Sequence, residues 1–124
     1  MKVIYLNVND NEAPEVLDIP DDINTFYKLI QCTCIDIPRR KIGEKFFNII
    51  CDDEGLFVES PKISAVNKYY QTQLVGNLII CSGEIDEENL TGLSEEEIQY
   101  VLKRIRPIST RLHPFGYHMV TDCN

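Results

Sequence analysis

Hydrophobic and polar residues alternate along the chain in short blocks that predict β-strands. Residues 2–8, KVIYLNV, combine β-branched and aromatic side chains, and EVLDI at 15–19 follows a polar stretch that suits a turn. These two segments therefore predict a β-hairpin. The apolar runs CTCIDI, FFNIIC and LVGNLIIC predict further strands, and DDEG after the second run supplies the residues of a tight turn.

The first helical pattern lies in PDDINTFYKLI, residues 20–30. Its apolar residues fall at the i, i+3, i+4 and i+7 positions of one helix face, and Asp21 or Asp22 is available as the N-cap. The residues of this face are Ile23, Phe26, Tyr27 and Ile30.

A second helix is predicted over SPKISAVNKYY, residues 60–70. Ser60 is a suitable N-cap, and Pro61 would occupy the first helical position, where its missing N–H costs nothing. The side chains expected to face inward are Ile63, Val66 and Tyr70.

The clearest helix is predicted over SEEEIQYVLKRIR, residues 94–106. Ser94 and Glu97 have the spacing of a capping box, acids fill the first turn, and bases fill the last turn before Pro107. Its buried stripe is predicted to be Ile98, Val101, Leu102 and Ile105.

These elements predict a single small α+β domain over residues 1–106. The expected architecture is a mixed, mainly antiparallel sheet of about five to six strands packed against about three helices. Residues 107–124 are interpreted as a C-terminal tail or a closing strand, because Phe115, Tyr117 and Met119 alternate with other residues. A chain of 124 residues has the usual length of one domain.

The net charge of −8, from 20 acidic and 12 basic residues, argues against general nucleic-acid binding, which needs a positive face. No apolar stretch approaches the roughly 20 residues of a membrane span, so no membrane association is expected. The five cysteines, an odd number with no signal segment ahead of them, indicate reduced thiols and a cytoplasmic location.

The cysteine pattern does not predict a metal or redox site. Cys32 and Cys34 have one intervening residue, whereas zinc knuckles and redox pairs use wider spacings, and on a strand both side chains would share one face. Cys51 and Cys81 end apolar strands and are expected to pack in the core. We therefore expect no metal and no cofactor.

The sequence also lacks the motifs of common enzyme classes. It contains no G-x-S-x-G, no P-loop and no G-x-G-x-x-G, and neither His113 nor His118 has an acid at a triad-like spacing. We expect no catalytic residues and a protein that is not an enzyme.

Two groups of acidic residues are candidates for a surface that meets a basic partner. Asp52, Asp53 and Glu54 fall in a predicted turn, and Glu95 and Glu96 fall at a predicted helix start. Turn and capping chemistry explain the same residues without a partner, so both interpretations stay open.

A basic cluster is the most suggestive local feature. Arg39, Arg40, Lys41 and Lys45 concentrate positive charge within an acidic chain, in what is predicted to be a loop, and arginine is suited to bidentate contacts with phosphate or carboxylate. The cluster predicts a site for an anionic ligand or an acidic partner. A solvated loop that balances neighbouring acids is the alternative.

The segments LIQCTCIDIPRRKIGEKFFNIICDDEGLFVESPKISAVN, LVGNLIIC and LTGLSEEEIQYVL, in this order, resemble the family catalogued as domain of unknown function 3846. The resemblance covers roughly residues 23–105, and members are small proteins of phages, plasmids, integrated elements and gut-associated bacteria. This chain has Gln31 where relatives usually have glycine, and Ser60 where many have asparagine. The resemblance implies no established activity and no thiol chemistry.

Two functions follow as hypotheses. The first is a non-enzymatic accessory protein of a phage or mobile element that binds and modulates a host defence or regulatory protein, with electrostatic attraction to a basic partner. The alternative is a protein that sequesters a small ligand or nucleotide signal, holding its phosphates with the basic cluster.

Overall fold

The structure is a computed structural model that describes residues 1–55, 61–86, 89–109, 111, 114 and 116–124. Within this part of the chain are twelve strands and two helices. The strands are β1 (Lys2–Leu6), β2 (Glu15–Asp18), β3 (Ile35–Asp36), β4 (Arg39–Ile42), β5 (Lys45–Asp52), β6 (Ile63–Val66), β7 (Thr72–Val75), β8 (Leu78–Ser82), β9 (Ile85–Asp86), β10 (Asn89–Leu90), β11 (Ile105–Ile108) and β12 (Tyr117–Val120). The helices are α1 (Ile23–Ile30) and α2 (Glu95–Leu102).

The large sheet has six strands in antiparallel pairs. Its order is β2-β1-β8-β5, and both β3 and β4 pair with the outer edge of β5. The predicted first hairpin is confirmed, since β1 pairs with β2 from Lys2 opposite Asp18. Side chains alternate between two cores: in β1, Val3 contributes to one buried cluster and Ile4 to the other.

Helix α1 covers one face of the large sheet. Asp22 is its N-cap and accepts a hydrogen bond from the Thr25 backbone N–H at 3.2 Å. Gln31 ends the helix in the left-handed conformation, with φ of 64°, a backbone conformation that favours glycine at this position. Phe26 and Ile30 are buried as predicted, but Ile23 is 50% exposed.

The small sheet covers the other face of the large sheet. Its order is β11-β12-β6-β7, with β12 and β6 parallel and the other pairs antiparallel. Both sheets and α2 contribute to one buried apolar cluster that includes Phe47, Ile80, Val120 and Val101. In addition, β9 and β10 form a two-stranded sheet.

The predicted helix over residues 60–70 is wrong. Pro61 precedes strand β6, and a turn follows that strand. Ser60 lies outside the described residues. Ile63–Val66 pairs with β7, and its Ala65 also faces Val120 of β12, so tertiary strand pairing overrides the local capping pattern. The described residues therefore contain two helices instead of about three, and a second sheet.

The capping box of α2 is confirmed, but the helix ends earlier than predicted. Ser94 Oγ accepts from the Glu97 N–H at 3.2 Å, and Glu97 Oε1 accepts from the Ser94 N–H at 3.0 Å. The helix stops at Leu102, and the last predicted helical residues enter β11, an edge strand that tolerates Pro107. Beyond it, Tyr117–Val120 forms β12, whereas Phe115 lies outside the described residues.

Asn77 fixes the point where the chain crosses from the small sheet to the large sheet. It follows Gly76, whose φ of 77° favours glycine, and its own side chain has no exposure to solvent. Its amide Nδ2 donates to the Tyr5 hydroxyl at 3.2 Å and to the Leu29 carbonyl at 3.1 Å. Its Oδ1 accepts from the Asn9 N–H at 3.1 Å, so one side chain joins β1, α1 and a loop.

We expect Asn77→Ala to lower the free energy of unfolding by about 2 kcal/mol, because it removes the hydrogen bonds of the buried Asn77 side chain to Tyr5, Leu29 and Asn9 and opens a small cavity. Urea unfolding followed by circular dichroism measures the change. Asn24→Ala, at an exposed position of α1, is the matched control and should change the value by less than about 0.5 kcal/mol. Equal stability of the two variants would contradict the role given to Asn77.

Candidate functional site

The predicted basic loop is a β-hairpin formed by β4 and the first half of β5. Arg39 lies opposite Asn48 and Lys41 opposite Phe46, so these side chains share the face of the large sheet that carries α1. Arg40 lies opposite Phe47 on the other face. The prediction of a loop is therefore wrong, because these residues form ladder hydrogen bonds with β5.

The four predicted basic residues do not converge on one point. Strand alternation places Arg39 and Lys41 on one face of the hairpin, and Arg40 and Lys45 on the other. An anion held by all four side chains at once is incompatible with this geometry.

On the first face, two cations contact an exposed aromatic ring. Phe46 is 49% exposed, and the Arg39 Cζ atom lies 4.6 Å from its ring centroid. The Lys41 Nζ atom lies 5.9 Å from the same centroid. These distances are within the range of cation–π attraction, which holds an apolar ring and a positive charge together at the surface.

On the second face, Tyr100 of α2 lies against the turn of the hairpin. The Arg104 Cζ atom is 3.7 Å from its ring centroid and the Lys45 Nζ atom is 4.8 Å from it. The Tyr100 hydroxyl accepts a hydrogen bond from the Glu44 N–H at 2.8 Å. Gly43, with φ of 62°, leaves room for this contact, because a Cβ atom there would collide with the Tyr100 hydroxyl.

Residues near the end of the chain run along the outer edge of β4. The Lys41 N–H donates to the Asn124 carbonyl at 2.9 Å, and the Asn124 N–H donates back to the Lys41 carbonyl at 2.7 Å. The Gly43 N–H donates to the Asp122 carbonyl at 2.8 Å. The edge of β4 is thus already paired, and recognition at the hairpin must use side chains.

A groove of about 1030 Å³ lies between the hairpin and the start of α2. We call it the Phe46 groove, and the side chains that give it its character are Arg39, Lys45, Phe46, Glu84, Glu96 and Glu97. Glu97 is held in place because its Oε2 accepts from the Ser82 hydroxyl at 3.0 Å. The groove therefore presents a half-exposed aromatic ring between two cations and three carboxylates.

The predicted acidic residues fall at two separate places. Glu96 lines the Phe46 groove, and Glu95 is exposed in the same turn of α2. Asp52, with the turn residues Asp53 and Glu54, lies at the far end of β5, about 24 Å from Lys45 for eight residues of strand. The Asp52 carboxylate accepts from the Glu54 N–H at 2.9 Å, which is ordinary turn chemistry.

Sequence reasoning missed Glu84, Tyr100 and Arg104. The sequence places Phe46 in an apolar strand, but Phe46 is 49% exposed, whereas its neighbour Phe47 is buried. Tyr100 and Arg104 reach the hairpin through contacts about 55 residues apart in sequence, for which no local spacing gives a signal. The only local sequence signal that bears on this contact is the glycine after Ile42, which marks the turn of the hairpin.

The cysteines behave mainly as core residues. Burial raises the pKa of Cys51 and of Cys81 to about 12, and that of Cys123 to about 11. Cys34 is exposed and Cys32 is half-buried, and the two precede β3, so the expected strand over both is wrong. Burial also raises the pKa of Cys32.

Groups of metal ligands and membrane-spanning helices are also absent from the described part of the chain. No group of three or more His, Cys, Asp or Glu side chains there could hold a metal ion. His118 is half-buried in β12, and His113 lies outside the described residues. Neither described helix is long and apolar enough to cross a membrane.

Fold and site together define a small α+β protein of two packed sheets with a charged, aromatic groove at one end. A family profile described as "Domain of unknown function (DUF3846)" matches residues 1–106, and the chain belongs to this family. The match extends the expected family-like region from residue 23 back to residue 1. Neither the curated proteins nor the solved structures gave a match.

The thiol environments predict a stepwise reaction with a disulfide reagent at about pH 8. Cys34 should react fast and Cys32 more slowly, whereas the three buried thiols have raised pKa values, carry little thiolate at this pH and should react only after unfolding. The absorbance of the released chromophore measures the steps.

Cys34→Ser is the control variant for this experiment and should remove the fast phase alone. Release of more than two equivalents of chromophore per folded protein molecule would contradict the burial of Cys51, Cys81 and Cys123.

Proposed function

We propose that this protein is a non-enzymatic binding protein of a phage or mobile element that modulates a host defence or regulatory protein. The observation that carries the proposal is the Phe46 groove, where a half-exposed ring lies between Arg39 and the carboxylates of α2. Aromatic and arginine side chains dominate the energetics of protein interfaces, especially at the centre of a contact.

The charge of the chain supports a partner with a basic surface. Two ion pairs occur among the described residues, from the Met1 amino group to Asp18 and from Lys41 to Glu44, so most of the described acids form no ion pair with a described cation. The net charge of −8 therefore remains available to attract a basic partner over a Debye length of about 10 Å. Glu84, Glu96 and Glu97 place part of this charge at the groove.

The positions of the four basic residues give less support to the alternative function, the sequestering of a nucleotide. Its four proposed ligands lie on two faces of one hairpin. Arg39 and Lys41 contact the Phe46 ring, and Lys45 contacts the Tyr100 ring. Polyphosphate binding needs several converging donors, and of these four residues Arg39 and Lys45 line the Phe46 groove, whereas Arg40 and Lys41 do not.

Capture of partners from a lysate of the native host, by tagged protein at about 0.1 M and 0.5 M salt, tests the proposal. We expect one stoichiometric host protein that is lost at high salt. Phe46→Ala should weaken binding of that protein by about 30-fold, which is the effect of removing an interface hot spot. Binding of the purified partner by calorimetry measures the change.

Ile23→Ala is the matched control, because Ile23 is 50% exposed and apolar but lies on α1, and it should leave binding unchanged. Glu96→Lys should weaken binding and reduce its salt dependence, since it reverses one charge at the groove. Binding that is insensitive to Phe46→Ala and to salt would overturn the proposal. A thermal shift with nucleotides that Arg39→Ala abolishes would favour the alternative.

A further inference from the structure

A second concavity, of about 560 Å³, lies on the small sheet and shares no lining residue with the Phe46 groove. We call it the Met119 pocket. Its floor and walls are mostly apolar, and the residues used below are Ile63, Val66, Tyr70, Arg106, Ile108 and Met119. Its volume is within the range of about 300–1,000 Å³ that is usual for small-molecule sites.

Strand pairing explains why one charged residue belongs to this apolar surface. Arg106 of β11 lies opposite Met119 of β12, and Ile108 lies opposite Tyr117, so these side chains share one face of the small sheet. Met119 and Val66 are almost completely buried and give the pocket a firm base.

Among the described residues that line the Met119 pocket, Arg106 is the one with a charged side chain, and it lies at the exposed rim. Within the described ranges of the chain it forms no hydrogen bond and no ion pair, although the protein carries 20 acidic residues. Its five N–H donors are therefore available to an anion that enters the pocket.

One wall of the pocket is held in an unusual conformation. Tyr70 has φ of 60°, a value that is rare for a bulky residue, and its side chain is 67% exposed. Asn67 maintains this turn, because its Oδ1 accepts from the N–H groups of Tyr69 and Gln71 at 2.9 and 3.0 Å. The turn orders an exposed aromatic ring beside the pocket before any ligand binds, and strained backbone is typical of ligand-contacting sites.

We propose that the Met119 pocket binds a small ligand with an apolar body and a single anionic group, such as a medium-chain carboxylate. The apolar body contacts Ile63, Val66 and Met119, and the anionic group pairs with Arg106. One cation in an apolar lining matches one negative charge, whereas a nucleotide would bring several charges and find one donor group. This site is independent of the proposed protein-binding groove.

Titration with octanoate, followed by the backbone amide signals of the labelled protein in two-dimensional NMR, tests the proposal. We expect saturable shifts at Ile63, Val66, Ile108 and Met119, and none around Phe46. Octanol, with the same chain and no charge, should bind at least about tenfold more weakly.

Arg106→Gln should weaken octanoate binding by about tenfold and leave octanol binding unchanged, because it removes the charge and keeps a polar side chain. Arg39→Gln is the matched control and should change neither the affinity for octanoate nor the affinity for octanol. The thermal unfolding midpoint of each variant shows whether it is folded, and Arg106→Lys should restore part of the affinity if charge is the determinant.

Three results would overturn the proposal. These are the absence of saturable shifts at millimolar octanoate, shifts that Arg106→Gln does not weaken, and equal affinity for octanol and octanoate. Dimerisation of the protein through this face, detected by light scattering and abolished by Tyr70→Ala, would replace the small ligand with a second copy of the chain.

Discussion

The central strands of the large sheet are buried on both faces, and the rest of the structure depends on this. In β8 every residue from Leu78 to Ser82 is buried. A strand of this kind needs a cover on each side, since exposing either face costs about 25 cal/mol for each Å² of apolar surface. Helix α1 supplies one cover, and the small sheet with α2 supplies the other.

The sequence predicts the elements whose signals are local. The first hairpin, α1 and the capping box of α2 each have their turn or capping residues within a few positions, and all three are found. The small sheet could not be predicted, because its β12–β6 pair joins residues about 55 positions apart, and its one parallel pairing follows no turn signal. Residues 60–70 were misread for the same reason: Pro61 is compatible with a helix start, but the distant partner of Ala65 determines the conformation.

The candidate site could be predicted only in part. The basic residues were identified from the sequence, but their division between two faces follows from the pairing of β4 with β5. The positive charges of these basic residues contact aromatic rings more than carboxylates. Arg39 and Lys41 form cation–π contacts with Phe46, and Lys45 forms one with Tyr100. Apart from the ion pair of Lys41 with Glu44, these cations contact rings and leave the nearby carboxylates unpaired with them, so the surface presents both signs around an exposed ring.

The pairing of residues near the end of the chain with β4 affects the order of folding during synthesis. Strand β12 lies between β11 and β6, Cys123 is buried in the larger core cluster, and Asn124 pairs with Lys41. While residues 117–124 are still inside the ribosome, the small sheet lacks an inner strand and β4 has an open edge. The nascent chain therefore cannot complete this fold until residues 117–124 have left the ribosome, and until then a chaperone has apolar strand edges to bind.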